Sequence, residues 1–135
     1  MNYWLVKSEA SVWSWDQQVA KGAKGEAWTG VRNHSAKLNM MAMKKGDRAF
    51  FYHSNEGKEI VGIAEISEAG LADPRDPAWA AVKVRPVRAL ERPVTLAEIK
   101  ADKTLQDIEL VRLSRLSVAE ISPAEWKRIC SIARA

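Results

Sequence analysis

The chain alternates between short apolar runs with strand character and segments that begin with helix-capping signals. The runs that predict strands are residues 3–8, 26–28, 48–53, 59–66 and 80–90. The sequence Asn-Glu-Gly-Lys at 55–58 is typical of a tight turn, so the strands on either side of it should pair antiparallel. Gly62 in the fourth run indicates a close approach of the backbone to another group.

Three capping boxes mark the starts of predicted helices. Ser14, Thr95 and Ser122 are each followed three residues later by Gln or Glu, which is the spacing of that motif. A fourth helix is predicted at 35–43, and its methionines should pack in the core. Residues 73–77 predict a rigid loop, because two prolines fix the backbone and remove hydrogen-bond donors.

Together these elements predict an α+β fold. Five to six short strands should form a mixed, curved sheet or a small barrel, with helices packed on its outside. A chain of 135 residues can bury roughly 65–70% of its unfolded surface in one core. No repeat or linker interrupts the pattern, so residues 1–135 are predicted to be a single domain, with a monomer as the default.

Charge and cysteine content narrow the partners and the compartment. The formal net charge of +4 favours a polyanionic partner, although the basic residues are spread along the chain and a solvated surface explains them equally well. The single Cys130 excludes an internal disulfide and fits a reducing compartment. No apolar run approaches roughly 18 residues, and the chain does not begin with a signal pattern. We therefore expect a cytoplasmic protein, or a nuclear one in a eukaryote, without a membrane partner.

Three of the apolar runs end in side chains that form hydrogen bonds. Residues 3–9, 28–33 and 50–54 begin with aromatic residues and continue into lysine, arginine, asparagine or hydroxyl groups. Such groups suit a flat ligand with polar edges, such as a nucleobase, because stacking holds its face while polar groups read its edge. No nucleophile elbow, phosphate loop or dinucleotide motif occurs. Two histidines and one cysteine exclude a Cys/His metal site, so neither a metal nor a cofactor is expected.

Six segments, in their order along the chain, resemble the EVE domain. They are YWLVKSE (3–9), WTGVRN (28–33), GD (46–47), FYHS (51–54), IVGIAE (60–65) and RLSV (115–118). The resemblance extends from about Tyr3 to the C-terminal helix, and the set is specific although each segment alone is weak. Ala10 departs from the family, which often has proline after Lys-Ser-Glu.

This resemblance implies a PUA-like fold and kinship with YTH domains, which hold a methylated adenine in an aromatic cage. It implies a partner that is DNA or RNA carrying a modified base, chiefly a modified cytosine. The positions that it implies for the base pocket are Lys7, Ser8, Trp28, Thr29, Tyr52 and Ser54. For Lys7 and Ser8 a phosphate contact or a surface strand end is also open. Trp28 could instead belong to the core, and Ser54 could merely close a hairpin. Trp28 and Thr29 match one wall of the YTH cage, and Ser54, with Tyr52, would lie at the pocket floor.

Three further side chains are candidates for binding. Asn33 could read a base edge or cap the following helix, and Arg32 could contact a phosphate. Trp79 is a candidate for a second aromatic wall, or it could cover the sheet. The remaining tryptophans are assigned to packing; they are Trp4, Trp13, Trp15 and Trp126.

Two other classes of function remain open. ASCH domains share the PUA-like architecture, and some act as nucleases or amidohydrolases that use a lysine. Lys7, with Glu9 or Tyr52, could form a similar site if burial lowered its pKa. A small-molecule-binding or interaction module without nucleic acid is the third possibility, and it would lack a closed aromatic slot ringed by basic residues.

Overall fold

A computed structural model describes residues 1–135 and shows one six-stranded mixed sheet with five α-helices around it. The strands are β1 (Tyr3–Glu9), β2 (Glu26–Trp28), β3 (Arg48–Ser54), β4 (Glu59–Asp73), β5 (Asp76–Thr95) and β6 (Val118–Ile121). Their order in the sheet is β2-β5-β4-β3-β1-β6. The predicted α+β class and the single sheet are confirmed. The sheet is not closed into a barrel, because β2 and β6 are edges that do not pair with each other.

One parallel pairing distinguishes this sheet from a simple meander. β1 runs parallel to β3 and antiparallel to β6, while all other neighbours are antiparallel. The turn predicted at 55–58 joins β3 and β4 as expected. Several register shifts interrupt the β4–β5 pairing, and Pro86 lies beside one of them, opposite Ala64. A proline is tolerated there because bulges already lack a regular ladder hydrogen bond.

The helices follow the predicted capping signals. They are α1 (Trp15–Lys21), α2 (His34–Ala42), α3 (Leu96–Ala101), α4 (Glu109–Arg112) and α5 (Pro123–Ala133). All three capping boxes are formed, at the starts of α1, α3 and α5. The strand β6 and the helix α4 were not predicted, because four residues are too few to establish a period.

The proposed loop at 73–77 is much shorter than the sequence predicted. β4 continues to Asp73 and β5 begins at Asp76, so only Pro74 and Arg75 connect them. The buried carboxylate of Asp73 accepts the backbone N–H of Arg75 at 2.8 Å, which closes the turn. The turn is therefore stabilised in part by a side-chain hydrogen bond, and not by the prolines alone as predicted.

Aromatic residues bridge the sheet and the helices that cover it. Phe50 stacks on Trp126 of α5 with ring centroids 3.9 Å apart, and Tyr3 stacks on the same indole at 4.5 Å. On the α1 side, a side chain at Gly62 would come within 2.5 Å of the Trp15 ring, which confirms the predicted close approach. The prediction that all three methionines of the helix expected at 35–43 lie in the core is wrong for Met41, which is 61% exposed.

Candidate functional site

A cavity of about 530 Å³ lies where β1 ends and β2 runs along the edge of the sheet. Its lining consists of Lys7, Ser8, Glu9, Val12, Trp13, Glu26, Ala27, Trp28 and Thr29. The volume falls within the range of about 300–1,000 Å³ typical of small-molecule sites. Two tryptophans, two carboxylates, one amine and two hydroxyl groups offer both stacking surface and hydrogen-bonding groups to a ligand.

Contacts with neighbouring residues fix the rings of both tryptophans in this cavity. The indole N–H of Trp13 donates to Oε1 of Gln18 at 2.9 Å, and the amide of Gln18 donates to the carbonyl of Val84 at 2.9 Å. Gln18 is fully buried, so α1 and β5 fix the Trp13 ring through it. Trp28 meets the edge of Phe51 with centroids 5.8 Å apart and planes at 86°. Such fixed rings lose little conformational freedom when a ligand stacks on them.

Lys7 is the one basic residue in the lining of the cavity, and it is half-buried. Its Nζ donates to the carbonyl of Ser114 at 2.8 Å and forms no ion pair. Burial lowers the pKa of the amine, because an ammonium group loses hydration there. The neighbouring hydroxyl of Ser8 donates to the carbonyl of Trp13, which ties the end of β1 to the segment that carries the indole.

The segment that follows Trp28 is anchored by Asp73. One carboxylate oxygen of Asp73 accepts the backbone N–H of Gly30 at 2.8 Å and Nη1 of Arg32 at 3.1 Å. Hydrogen bonds from the backbone of Gly30 and Arg75, together with Arg32, lower the pKa of this carboxyl to about 2. Gly30 has a φ of +77°, a conformation that favours glycine. Asp73 thus holds the chain that begins at the aromatic wall.

The predicted pocket residues separate into several places. Lys7, Ser8, Trp28 and Thr29 line the cavity described above. Tyr52 and Ser54 line a second depression of about 240 Å³, which shares only Lys7 with the first.

The other three candidates lie outside both hollows. Asn33 caps α2, since its Oδ1 accepts the N–H of Ala36 at 3.0 Å. Trp79 lines a groove between α2 and the β4–β5 hairpin. The guanidinium carbon of Arg32 lies 5.5 Å from the centre of the Trp79 ring, and the side chain remains 39% exposed.

Two residues of the site were missed from the sequence. Trp13 was assigned to packing, but it lines the cavity together with Trp28. Trp13 comes four residues after Glu9, the polar end of the first apolar run, and this closeness in the chain was the signal that the sequence offered. Asp73 carried no such signal, because its partners Gly30 and Arg32 are 43 and 41 residues away in the chain.

Side chains that could ligate a metal ion are not clustered anywhere in the molecule. No group of three or more His, Cys, Asp or Glu side chains is arranged to hold a metal ion. His53 instead accepts the backbone N–H of Trp15 at 3.0 Å through Nε2. None of the helices has the length and apolar character needed to cross a membrane.

The open mixed sheet with peripheral helices is the PUA-like fold that the sequence predicted, and the aromatic cavity at its strand ends is the candidate ligand site. The family model of the EVE domain matches residues 2–132. This chain therefore belongs to the EVE domain family, as the sequence motifs predicted.

Two solved structures and one further relative are similar to this chain over nearly its whole length. An NMR structure from Rhodopseudomonas palustris is 60% identical, with a TM-score of 0.95 over 99% of this chain and 94% of that one. Mouse thymocyte nuclear protein 1 is 32% identical over 97% of this chain and 73% of its own length. The human THYN1 protein, whose crystal structure is a complex with DNA containing 5-methylcytosine, is 27% identical, with a TM-score of 0.88 over 100% and 99% of the two chains.

Proposed function

We propose that this protein is a reader of nucleic acid that accepts a modified cytosine, flipped out of its strand, into the cavity between Trp13 and Trp28. The observation that carries the proposal is the presence of two fixed indoles in one cavity with hydrogen-bonding groups around them. The human relative bound to DNA with 5-methylcytosine supports this choice of base. Among the predicted pocket residues, Lys7, Ser8, Trp28 and Thr29 contact the base.

The chemistry of the lining matches the edge of a cytosine. Its exocyclic amine is a donor and can be read by a carboxylate such as Glu9 or Glu26. Its ring nitrogen and carbonyl are acceptors, one of which the Thr29 hydroxyl can satisfy. A methyl group at the remaining edge adds apolar surface that the indoles cover.

Base extrusion sets the preference between single and double strands. Unstacking and unpairing cost a few kcal/mol, so affinity should be greater for single strands and weakened pairs than for a perfect duplex. Stacking on an indole contributes about 1–3 kcal/mol per base. Trp28→Ala should therefore weaken binding roughly five- to a hundredfold.

The test is a titration of fluorescently labelled oligonucleotides that differ only in one cytosine, modified or plain. The wild-type protein should prefer the modified strand, and Trp28→Ala and Trp13→Ala should each remove most of that preference. Trp79→Ala is the matched control, because Trp79 is a partly buried tryptophan that lines a different groove. Equal affinity for both strands, unaffected by Trp28→Ala, would refute the proposal.

In this proposal the protein binds its target without cleaving it. The alternative is a hydrolase that uses Lys7, and it can be tested separately. Burial lowers the pKa of Lys7, which is the direction that a general base requires. Strand cleavage or base release that persists in purified protein and is lost in Lys7→Met would replace the reader with a hydrolase. The same oligonucleotides, run on a denaturing gel after overnight incubation, give the answer.

The choice between DNA and RNA follows from the same experiment. We propose DNA as the first partner to test, with the matching RNA strand as the second arm. We further propose that residues 1–135 act as one EVE domain in the cytoplasm, or in the nucleus of a eukaryote, with no cofactor.

A further inference from the structure

The depression that contains Tyr52 shares Lys7 with the aromatic cavity. It has a volume of about 240 Å³, and its polar lining comes from Lys7, Tyr52, Ser54, Asn55, Lys58 and Ser114. The parallel pairing of β1 and β3 places Lys7 directly beside Tyr52. The turn after β3 brings Asn55 and Lys58 to the rim, so the site is built from three separate segments.

The hydroxyl of Tyr52 is the unusual group in this depression. The residue is only 3% exposed, yet its hydroxyl makes no hydrogen bond within the protein. Because no fully buried polar atom of the protein lacks a partner, this hydroxyl must reach the surface of the depression. Burial raises the pKa of Tyr52, which keeps the hydroxyl protonated and able to donate.

Positive charge in the depression is not neutralised. Lys7 donates one hydrogen bond, to Ser114, which leaves two of its three N–H groups free. Lys58 at the rim forms no ion pair. No Asp or Glu side chain is part of the lining. Two ammonium groups, a tyrosine hydroxyl and a serine hydroxyl without a carboxylate form a donor set suited to an anion with several acceptor oxygens.

We infer that this depression binds a backbone phosphate adjacent to the base held between Trp13 and Trp28. The inference rests on the proposed function, since it is Lys7, shared by both hollows, that connects the base and the phosphate. A flipped nucleotide presents its phosphate next to the pocket that takes its base. The site therefore fixes the position of the strand on the protein, while the aromatic cavity selects the base.

Lys58 and Tyr52 are the residues to change, because they line the depression and not the aromatic cavity. Lys58→Gln removes the charge and keeps an unbranched polar side chain that is one atom shorter; glycine would also relax the backbone, because Lys58 has a φ of 48°. The experiment uses single-stranded oligonucleotides with the modified cytosine in which one flanking phosphate at a time is replaced by a neutral methylphosphonate. Lys127→Gln removes the same charge from an exposed position on α5 and serves as the control.

One phosphate position should respond to both changes. Lys58→Gln should weaken binding roughly 2- to 5-fold at low salt and reduce the slope of log affinity against log salt by about 0.7. Tyr52→Phe should weaken binding roughly 2- to 10-fold without altering that slope, since it removes a neutral donor. On the oligonucleotide that is neutral at the contacted phosphate, the effect of Lys58→Gln should disappear and that of Tyr52→Phe should shrink, because a methylphosphonate has no charge and only one non-bridging oxygen. Lys127→Gln should leave the response to methylphosphonate unchanged.

The failure of this inference differs from the failure of the proposed function. If the wild-type protein selects the modified base through Trp28 but no single methylphosphonate position is coupled to Lys58 or Tyr52, the phosphate site is wrong and the reader stands. If the protein binds no oligonucleotide, the reader fails, and a titration with inorganic phosphate decides the anion site. Saturable NMR shifts at residues 55–58 that Lys58→Gln abolishes would support it, and their absence would overturn it.

Discussion

Gln18→Leu tests whether the buried amide behind the aromatic cavity holds Trp13 in place. Gln18 is fully buried and joins the indole N–H of Trp13 to the carbonyl of Val84, with both hydrogen bonds at 2.9 Å. Leucine has a similar volume, so the substitution removes the two hydrogen bonds without opening a large cavity. The effect then measures the polar contacts and not the loss of packing.

The expected magnitude follows from what each partner loses. The Val84 carbonyl is deeply buried and would lose the amide N–H that Gln18 donates to it, at about 1–3 kcal/mol. The Trp13 indole N–H borders the cavity and can turn to water, so its loss is about 0.5–1.5 kcal/mol. We expect the free energy of unfolding to fall by about 2–4 kcal/mol and the Tm by roughly 6–16 °C. Affinity for the modified strand should fall too, but less than in Trp13→Ala.

Chemical denaturation of four proteins checks this reasoning: wild type, Gln18→Leu, Trp13→Phe and the double variant. Trp13→Phe keeps an aromatic ring but removes the indole N–H, which donates to Gln18, together with part of the ring surface; the cost of the lost surface cancels in the double-mutant cycle. The two single changes should therefore not be additive, with a coupling energy of about 0.5–1.5 kcal/mol. If Gln18→Leu changed stability by less than about 0.5 kcal/mol, or if the two changes were additive, the link from α1 to the cavity would be refuted.

Two further substitutions test other contacts of the fold. Gly62→Ala should destabilise the protein by about 1–3 kcal/mol, because the added carbon would lie 2.5 Å from the Trp15 ring. In a Trp15→Phe background, which lacks those ring atoms, Gly62→Ala should cost less stability in thermal melts. Equal costs in both backgrounds would contradict this explanation. Asp73→Asn should lower stability at neutral pH, because Gly30 and Arg32 lose a charged acceptor. Since the pKa of Asp73 falls from 3.8 to about 2 on folding, its contribution is complete above pH 4 and is lost as the pH falls towards 2. The difference between wild type and Asp73→Asn in urea melts should shrink over that interval, and a constant difference would show that the charge is not responsible.

Local signals predicted the fold well because they depend on neighbours in the chain. The capping boxes at Ser14, Thr95 and Ser122 each act within four residues, and all three are formed. The strand alternation likewise depends on a period of two. Features that depend on distant partners were not predictable, such as the burial of Asp73 or the pairing of β6 with β1.

The prediction of which site residues lie together was limited for the same reason, although the sequence offered one signal. Successive residues of a strand face opposite sides of the sheet. Phe51 contacts Trp28, so Tyr52 should lie on the opposite face from that indole. The alternation of β3 thus already separates Tyr52 and Ser54 from the aromatic cavity, and only the end of β1, at Lys7, reaches both hollows.

The position of β1 in the sheet determines when its strand pairing can be completed during synthesis. β1 is made first, yet it lies between β3 and β6, and Tyr3 pairs with Ile121. The backbone N–H of Lys7 donates to Ser117 at 3.0 Å, and its amine donates to Ser114. These long-range contacts form late, because closing so large a loop is entropically costly. Residues up to about Ile121 must therefore have left the ribosome before β1 is paired on both edges, and a translation product interrupted earlier would expose the edge of β1 that β6 covers.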